Sequence, residues 1–391
     1  MAAISNATAE AEEISAAAAV RRQSKAARAS TTSEPLRRSR KSAALPITLS
    51  MVVISVRGDE PMISTLLVSE PPFGAAFPRG TFDPSQHQSL DVAARAIAKG
   101  VADLALGYIE QLIARVVSEP TSAKAIEIGY LALLPPPSER KPRQAHPRNT
   151  TVSWQSAYVF LPWEDWRHGR PGIMDGLVMP RLQAWARSDE PSRPRTARNR
   201  SVNARQARIR FAFGTSRESW DETRVVERFD VLADAGIIVS SDTSDASPID
   251  NDRTAAVPES GPEMRPEMRP DTRPDPRLGQ DLQAGERRLL AVALSRLRAA
   301  LKTRPVVFEL LPDEFTLFEL QRTVETLLGP VLHKQNFRRQ IETTGLVEAT
   351  GRLRTNTGGR PAKLFRFSKD VLVERPAAEP QRPRISPKRP K

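Results

Sequence analysis

The stretch of residues 315–367 constrains the fold most, because two helical patterns, a tight turn and two short apolar segments follow one another closely. Thr316 and Glu319 have the spacing of a capping box, which predicts that a helix starts here. Apolar residues recur at helical spacing until Gly329-Pro330, a typical C-terminal signal. A second helix is predicted over about 334–344. The sequence therefore predicts a helix-turn-helix.

Two apolar segments after the second helix, 346–349 and 363–367, predict the paired strands of a wing. The connection between them is basic and contains Gly358-Gly359, which lets a backbone approach a phosphate closely. We expect Arg338 or Arg339 to contact guanine edges and the wing arginines to contact phosphates or the minor groove. The full set of expected DNA-binding residues is Lys334, Gln335, Asn336, Arg338, Arg339, Arg352, Arg354, Gly358, Gly359, Arg360 and Lys363. A small helical subdomain with a solvated basic face is the structural alternative.

Composition supports a polyanionic partner. The chain of 391 residues has a formal net charge of +13 and a pI near 10.5, although basic tails on a soluble protein would give the same balance. It contains no cysteine, which excludes disulfides, thiolate nucleophiles and zinc–thiolate sites. No apolar run reaches the roughly 20 residues that a membrane span needs. We therefore expect a cytoplasmic protein without a membrane partner.

The N-terminal half alternates between strand and helix patterns, which predicts an α/β domain over 47–238. The predicted strands are 47–58, 63–69, 108–115, 125–134 and 152–162, and the predicted helices are 89–100, 173–186 and 220–235. Pro180 is expected to break or kink the helix that contains it. The very basic segment 187–210 is predicted to be a loop.

The rest of the chain is divided by composition. Residues 1–46 are too poor in large apolar side chains to offset the entropy of ordering, which predicts a disordered basic arm. The acidic, proline-rich segment 239–285 is predicted to be a linker, or alternatively a recognition motif for a proline-binding partner. A winged-helix domain is expected at 286–372, starting with an amphipathic helix, and a basic disordered tail at 373–391.

Residues 306–367 closely resemble the C-terminal winged helix of the Nudix-related regulators of NAD metabolism, the NrtR family. The resemblance is carried by NFRR in the second helix and GGRPA in the wing, at the separation found in that family. It implies a Nudix-like α-β-α sandwich followed by a winged helix-turn-helix. It also implies a dimeric repressor that binds double-stranded DNA and is released by an NAD-derived effector such as ADP-ribose.

This resemblance predicts which residues the helix after residue 88 would carry if the domain were a Nudix hydrolase. A Nudix hydrolase carries Arg-Glu-U-x-Glu-Glu-x-Gly-U, where U is aliphatic, and its carboxylates hold Mg²⁺ against a pyrophosphate. Alignment on the segment SLDVAAR puts Gln88 at the first Glu, Ala96-Ile97 at Arg-Glu and Gly100-Val101 at Glu-Glu. Every carboxylate of the metal site is replaced. We therefore expect no catalytic residue, no bound metal and no cofactor.

Other candidate residues upstream are few. Arg79 and Gly80 are candidates for binding a ligand phosphate, with an exposed loop arginine as the alternative. Three carboxylates remain near the aligned helix and are interpreted as capping or solvated groups: Asp83, Asp91 and Asp103. The four histidines lack the spacing of metal ligands: His87, His146, His168 and His333.

Three functions fit these patterns. The first is a homodimeric transcriptional regulator, since winged helices of this kind usually bind pseudo-palindromes as dimers. The second is an active Nudix-type pyrophosphohydrolase with an appended DNA-binding domain. The third is non-specific nucleic-acid coating through the basic tails.

Overall fold

A computed structural model describes residues 45–68, 74–119, 122–136, 150–188, 195–214, 220–239, 275–355 and 361–368. The predicted basic arm except for its last two residues, residues 240–274 of the predicted linker and the C-terminal tail lie outside the described residues. So do Gly358, Gly359 and Arg360 of the predicted wing contacts.

Seven strands of the described residues form one mixed sheet. They are β1 Ile47–Arg57, β2 Glu60–Val68, β3 Gly74–Ala76, β4 Arg79–Thr81, β5 Tyr108–Glu119, β6 Ser122–Leu133 and β7 Thr150–Ser156. The order is β3-β2-β1-β6-β5, with β4 paired to β1 and β7 paired to β2. Strand β1 runs parallel to β6 and antiparallel to β2. The strands predicted at 47–58, 108–115 and 125–134 are confirmed.

Strand β1 is buried on both faces, which explains its continuous apolar sequence. Because successive side chains point to opposite faces, Val52 and Ile54 join one core while Met51 and Val53 join the other. The second core is covered by helix α1, Leu90–Ala102, with Ile97 buried in it. The first core is covered by the remaining helices of the sheet domain, so helices lie on both faces of the sheet.

These remaining helices are α2 Ala157–Phe160, α3 Met179–Arg187, α4 Arg195–Phe213, α5 Val225–Asp234 and α6 Glu286–Thr303. A π-helical turn at Met174–Val178 precedes α3, and Pro180 lies in the first turn of α3, where its missing N–H is tolerated. The strand predicted at 152–162 ends at Ser156 and is followed by α2.

The prediction of a loop at 187–210 is wrong, because helix α4 begins at Arg195. Arginine has a high helix propensity, so a basic segment can be helical if it buries some apolar surface. Ile209, Ala212 and Phe213 supply that surface by packing into the first core. The sequence pattern hid the helix because its few buried residues lie at the C-terminal end.

Helix α6 lies in the first core of the sheet domain, although the composition of the chain had grouped it with the winged helix. Leu289, Leu294 and Leu297 are fully buried there. Gly129 of β6 allows the close approach, because a Cβ at that position would clash with Leu289 Cδ1. After the end of α6, the chain passes through a 3-10 turn at Val306–Leu310 and leads to the C-terminal helices.

The C-terminal part consists of α7 Leu317–Leu328, α8 Lys334–Thr344, β8 Val347–Arg354 and β9 Ala362–Phe367. The helix-turn-helix and the two wing strands are therefore confirmed. One detail differs from the sequence interpretation, which put Arg352 and Arg354 in the connection between the strands. Both belong to β8, because that strand is longer than its apolar segment.

Candidate nucleic-acid interface

Helix α7 starts at the predicted capping box. Thr316 Oγ1 accepts a hydrogen bond from Glu319 N at 3.2 Å, and Thr316 N donates to Glu319 Oε2 at 2.8 Å. The segment before the helix is extended, and Phe315 exchanges both backbone hydrogen bonds with Phe365 of β9, at 2.9 and 2.8 Å. The start of α7 is thus fixed both by its own cap and by the wing.

The turn between α7 and α8 is held by Glu325, a residue that the sequence did not single out. Its Oε1 accepts from Leu332 N at 2.9 Å and from Gln321 Nε2 at 2.8 Å. All three residues are buried. A glutamate in the last turn of a helix lies at the unfavourable end of the helix dipole, which is the one sequence signal that it has a specific partner. This carboxylate fixes the angle at which α8 leaves the turn.

Helix α8 presents a polar, cationic face to solvent. Phe337 is buried against the winged-helix core, whereas the predicted contact residues on this helix are exposed: Lys334, Gln335, Asn336, Arg338 and Arg339. Within the part of the chain that the structure describes, Arg338 and Arg339 have no ion-pair partner. The helix face therefore carries uncompensated positive charge together with amide groups that can form bidentate hydrogen bonds.

The wing arginines are placed differently. Arg352 is exposed, with 71% of its side chain accessible, and pairs with Glu314 at 2.9 Å. Arg354 is half-buried, pairs with the capping residue Glu319 and donates to Glu314 O at 3.3 Å. Lys363 is exposed on β9. Arg354 thus ties the wing to the start of α7, while Arg352 and Lys363 can reach a phosphate from the surface.

The two candidate ligand residues lie at β4 of the sheet domain. Gly80 packs against α1, because a Cβ there would be 2.9 Å from Ile97 Cγ2. Arg79 is partly exposed, and its Nη1 lies 4.0 Å from Oε1 of the buried Glu286. The tight helix contact explains the glycine without a ligand, whereas Arg79 keeps a cationic group at the surface beside the start of α6.

Two of the positions aligned with the Nudix metal carboxylates, Ile97 and Val101, are packing positions, whereas Gln88 and Gly100 are exposed. Ile97 is buried and Val101 contacts the same core. Of the remaining carboxylates, Asp83 accepts from Ser85 and Gln86 in its own loop, which lowers its pKa; Asp91 accepts from Tyr130 Oη at 3.2 Å; and Asp103 pairs with Lys99. No group of three or more metal-ligating side chains lies together among the described residues. Nor does any helix of that part of the chain have the length and apolarity to cross a membrane.

Comparison with known proteins identifies the C-terminal part. Residues 307–367 match the model of the NrtR DNA-binding winged helix domain. Over 88 residues the chain is 39% identical to the ADPR responsive transcriptional repressor NtrR of Acinetobacter baylyi. That alignment covers 22% of this chain and 35% of the relative, so the chain matches about a third of that protein's length.

Two solved structures of NrtR from Shewanella oneidensis are also similar. The complex with a 27mer DNA is 16% identical, with a TM-score of 0.45, covering 84% of this chain and 95% of that one. The NUDIX domain complexed with ADP ribose is 19% identical, with a TM-score of 0.25, covering 29% and 73%.

The expected fold is confirmed, with an α/β domain that has helices on both faces of its sheet and a winged helix-turn-helix behind it. The family match covers the same residues that carry the capping box, the exposed face of α8 and both wing strands. The chain therefore carries a segment at residues 307–367 that matches the NrtR DNA-binding winged helix domain, and this segment follows an α/β domain.

Proposed function

We propose that this protein is a sequence-specific DNA-binding transcriptional regulator, a repressor of genes of NAD metabolism that responds to a nucleotide such as ADP-ribose. The observation that carries the proposal is the exposed face of α8, where Arg338 and Arg339 are held by a buried Phe337 and lack acidic partners among the described residues. The match of the surrounding 61 residues to a DNA-binding domain supports it.

The chemistry of this face suits the major groove of DNA. An arginine can donate two hydrogen bonds to guanine O6 and N7, and Gln335 or Asn336 can do the same for adenine. Phosphate contacts from Lys334, Arg352 and Lys363 would fix the register without selecting a sequence. We also propose that Arg354 contacts DNA, together with Gly358, Gly359 and Arg360 of the predicted connection between the wing strands.

The upstream domain has the role of a sensor in this proposal. Arg79 at the surface of β4 is the residue we assign to a phosphate of the effector, with Gly80 beside it. Ile97 and Val101 occupy positions where a hydrolase would hold Mg²⁺ and contribute to the core instead. We therefore infer that this domain is non-catalytic. We further infer that the protein binds a pseudo-palindromic site as a homodimer, as winged helices of this kind usually do, and that it is cytoplasmic.

DNA binding is tested with fragments from around the protein's own gene. Arg338→Ala and Arg339→Ala should each weaken binding to the selected site by about 1–3 kcal/mol where the side chain contacts a base. Arg170→Ala is the matched control, because Arg170 is an exposed arginine of the sheet domain that pairs with Asp175. Operator affinity that is unchanged in both α8 variants would contradict the proposal.

The sensor role is tested by titrating the same complex with ADP-ribose and NAD. We expect ADP-ribose to release the DNA and to remain intact when the protein and Mg²⁺ are incubated with it. Mg²⁺-dependent cleavage of ADP-ribose, or of NADH or a nucleoside diphosphate sugar, would show an active hydrolase instead. DNA affinity that survives deletion of 310–370 but not deletion of the tails would indicate non-specific coating.

A further inference from the structure

A fully buried cluster of charge lies between the sheet domain and the winged helix. Glu164, in the 3-10 turn Pro162–Glu164, accepts two hydrogen bonds from Arg228 of α5, Nε to Oε1 at 2.6 Å and Nη2 to Oε2 at 2.9 Å. Arg298 of α6 donates to the same carboxylate, Nη1 to Oε2 at 2.5 Å. The three side chains are at most 1% exposed. Two guanidinium groups thus share one carboxylate.

The cluster has excess positive charge, because two cations face a single anion. Burial by itself would raise the pKa of Glu164, but Arg228 and Arg298 outweigh that effect and hold it below its usual value. The remaining N–H groups therefore need oxygen acceptors, since an unpaired buried cation is costly. Arg228 donates to the carbonyls of Ala212 and Asp221, at 3.1 and 2.8 Å.

Arg298 donates to the carbonyls of Glu222 and Glu164 in the sheet domain, at 3.1 and 3.0 Å, and finds a further acceptor in the winged helix. Its Nε donates to Leu327 O at 2.8 Å, and Tyr158 Oη from α2 donates to Thr326 O at 2.8 Å. Both carbonyls lie in the last turn of α7, where they have no partner within the helix and form the negative end of its dipole. The buried cation and hydroxyl of the sheet domain thus cap the C-terminal end of α7.

Steric contact adds a third attachment at the same place. Gly329 follows the last residue of α7 with a φ of 94°, and a Cβ there would be 2.7 Å from Trp166 Cβ. Beyond it, the turn is fixed by the hydrogen bond from Leu332 N to Glu325 described above. Because the turn is short and is fixed by this hydrogen bond, a displacement of the end of α7 would also displace α8.

We propose that Arg298 and Tyr158 are positioning residues that hold the helix-turn-helix at one fixed angle to the sheet domain. If α7 moved away, the Arg298 Nε–H and the Tyr158 hydroxyl, which belong to buried side chains, would lose these acceptors. One orientation of the helix-turn-helix is therefore strongly preferred. In a dimer, these two side chains would set the distance between the two α8 helices. The effect on DNA rests on the function proposed above, whereas the fixed angle does not.

The variants for the test are Tyr158→Phe, which removes one hydroxyl and keeps the ring, and Arg298→Gln, which leaves Glu164 paired with Arg228. Arg296→Gln is the matched control. Arg296 lies on the same helix, but its side chain is 49% exposed and pairs with Glu110 at the surface. Thermal unfolding of each variant separates a loss of stability from a change of orientation.

Orientation is measured by spin labels on the full chain. The native sequence has no cysteine, so cysteines introduced at Val116 in β5 and Leu353 in β8 can be labelled selectively; these side chains are 61% and 56% exposed. Diluting labelled with unlabelled protein keeps the measurement within one chain. We expect one narrow distance in the parent and in Arg296→Gln, and a broader or second distance in Tyr158→Phe and Arg298→Gln.

DNA affinity is measured on the same proteins. A smaller fraction in the binding-competent orientation raises the apparent Kd in proportion, and we expect a rise of about threefold or more. Distances and Kd values in Tyr158→Phe and Arg298→Gln equal to those of Arg296→Gln would overturn the proposal, and Tyr158→Phe decides if Arg298→Gln does not fold. A broadened distance with an unchanged Kd would refute the effect on DNA. If the parent protein does not bind DNA, the spin-label distances still test whether the angle between the sheet domain and the winged helix is fixed.

Discussion

Glu286 provides the most specific prediction about stability, because it is a fully buried carboxyl group that accepts a single hydrogen bond from the residues that the structure describes. Its Oε2 accepts from Phe77 N at 2.7 Å, while Oε1 has no hydrogen-bond partner within the described ranges. Arg79 Nη1 is 4.0 Å from Oε1, which is too long for a hydrogen bond. Burial raises the pKa of Glu286 to about 8, and the charge on Glu127 adds to this, while Phe77 N–H, Arg79 and Arg115 oppose it.

The sign of the pH dependence follows from this pKa. The folded chain holds the proton more tightly than the unfolded chain, whose glutamate has the ordinary value of 4.5. The stabilisation by protonated Glu286 is therefore complete below that pH and is lost as the pH rises through about 8. At about 1.4 kcal/mol per pH unit, the rise corresponds to roughly 3–5 kcal/mol of unfolding free energy.

Glu286→Gln tests this reasoning, because glutamine has the shape of the neutral acid and keeps an acceptor for Phe77 N–H. The free energy of unfolding is measured in urea at pH 5, 7 and 9 for the parent, for Glu286→Gln and for Glu309→Gln, an exposed control on the turn after α6. We expect the parent to lose roughly 3–5 kcal/mol relative to Glu286→Gln between pH 5 and 9. A difference that is independent of pH, or equal to that of the control, would refute a neutral buried carboxyl.

Two further predictions concern packing and capping. Gly129→Ala should destabilise the chain by about 1–3 kcal/mol, because its Cβ clashes with Leu289. Gly100→Ala is the control, because Gly100 lies within α1 and no atom is near its Cβ position; it should stabilise the chain by about 0.5–1 kcal/mol. If Gly129→Ala and Gly100→Ala had equal effects on thermal unfolding, the close contact between β6 and α6 would be disproved. Thr316→Ala should lower stability by about 1 kcal/mol through loss of the α7 cap; an unchanged urea midpoint would contradict that role.

Much of the candidate DNA interface was accessible from the sequence, since its signals are local. The helix predicted over 334–344 has those bounds in the structure, and the capping box at Thr316 forms as expected. The basic helix α4 was missed because its Arg-rich sequence has no apolar periodicity along most of its length. Arg352 and Arg354 were expected to have similar roles, but their side chains are 71% and 35% exposed, and they pair with different glutamates, Glu314 and Glu319, which only the folded wing defines.

By itself, the sequence determined the α/β pattern, the helix-turn-helix with its wing and the absence of carboxylates at the positions that we aligned with the Nudix motif. Each of these depends on residues within a few turns or strands of one another. Only the tertiary structure placed α6 in the core of the sheet domain and joined Arg298 to Glu164 across 134 positions, and Phe77 to Glu286 across 209. Burial of a charge and the choice of its partner depend on which distant elements pack together, and no local pattern encodes that.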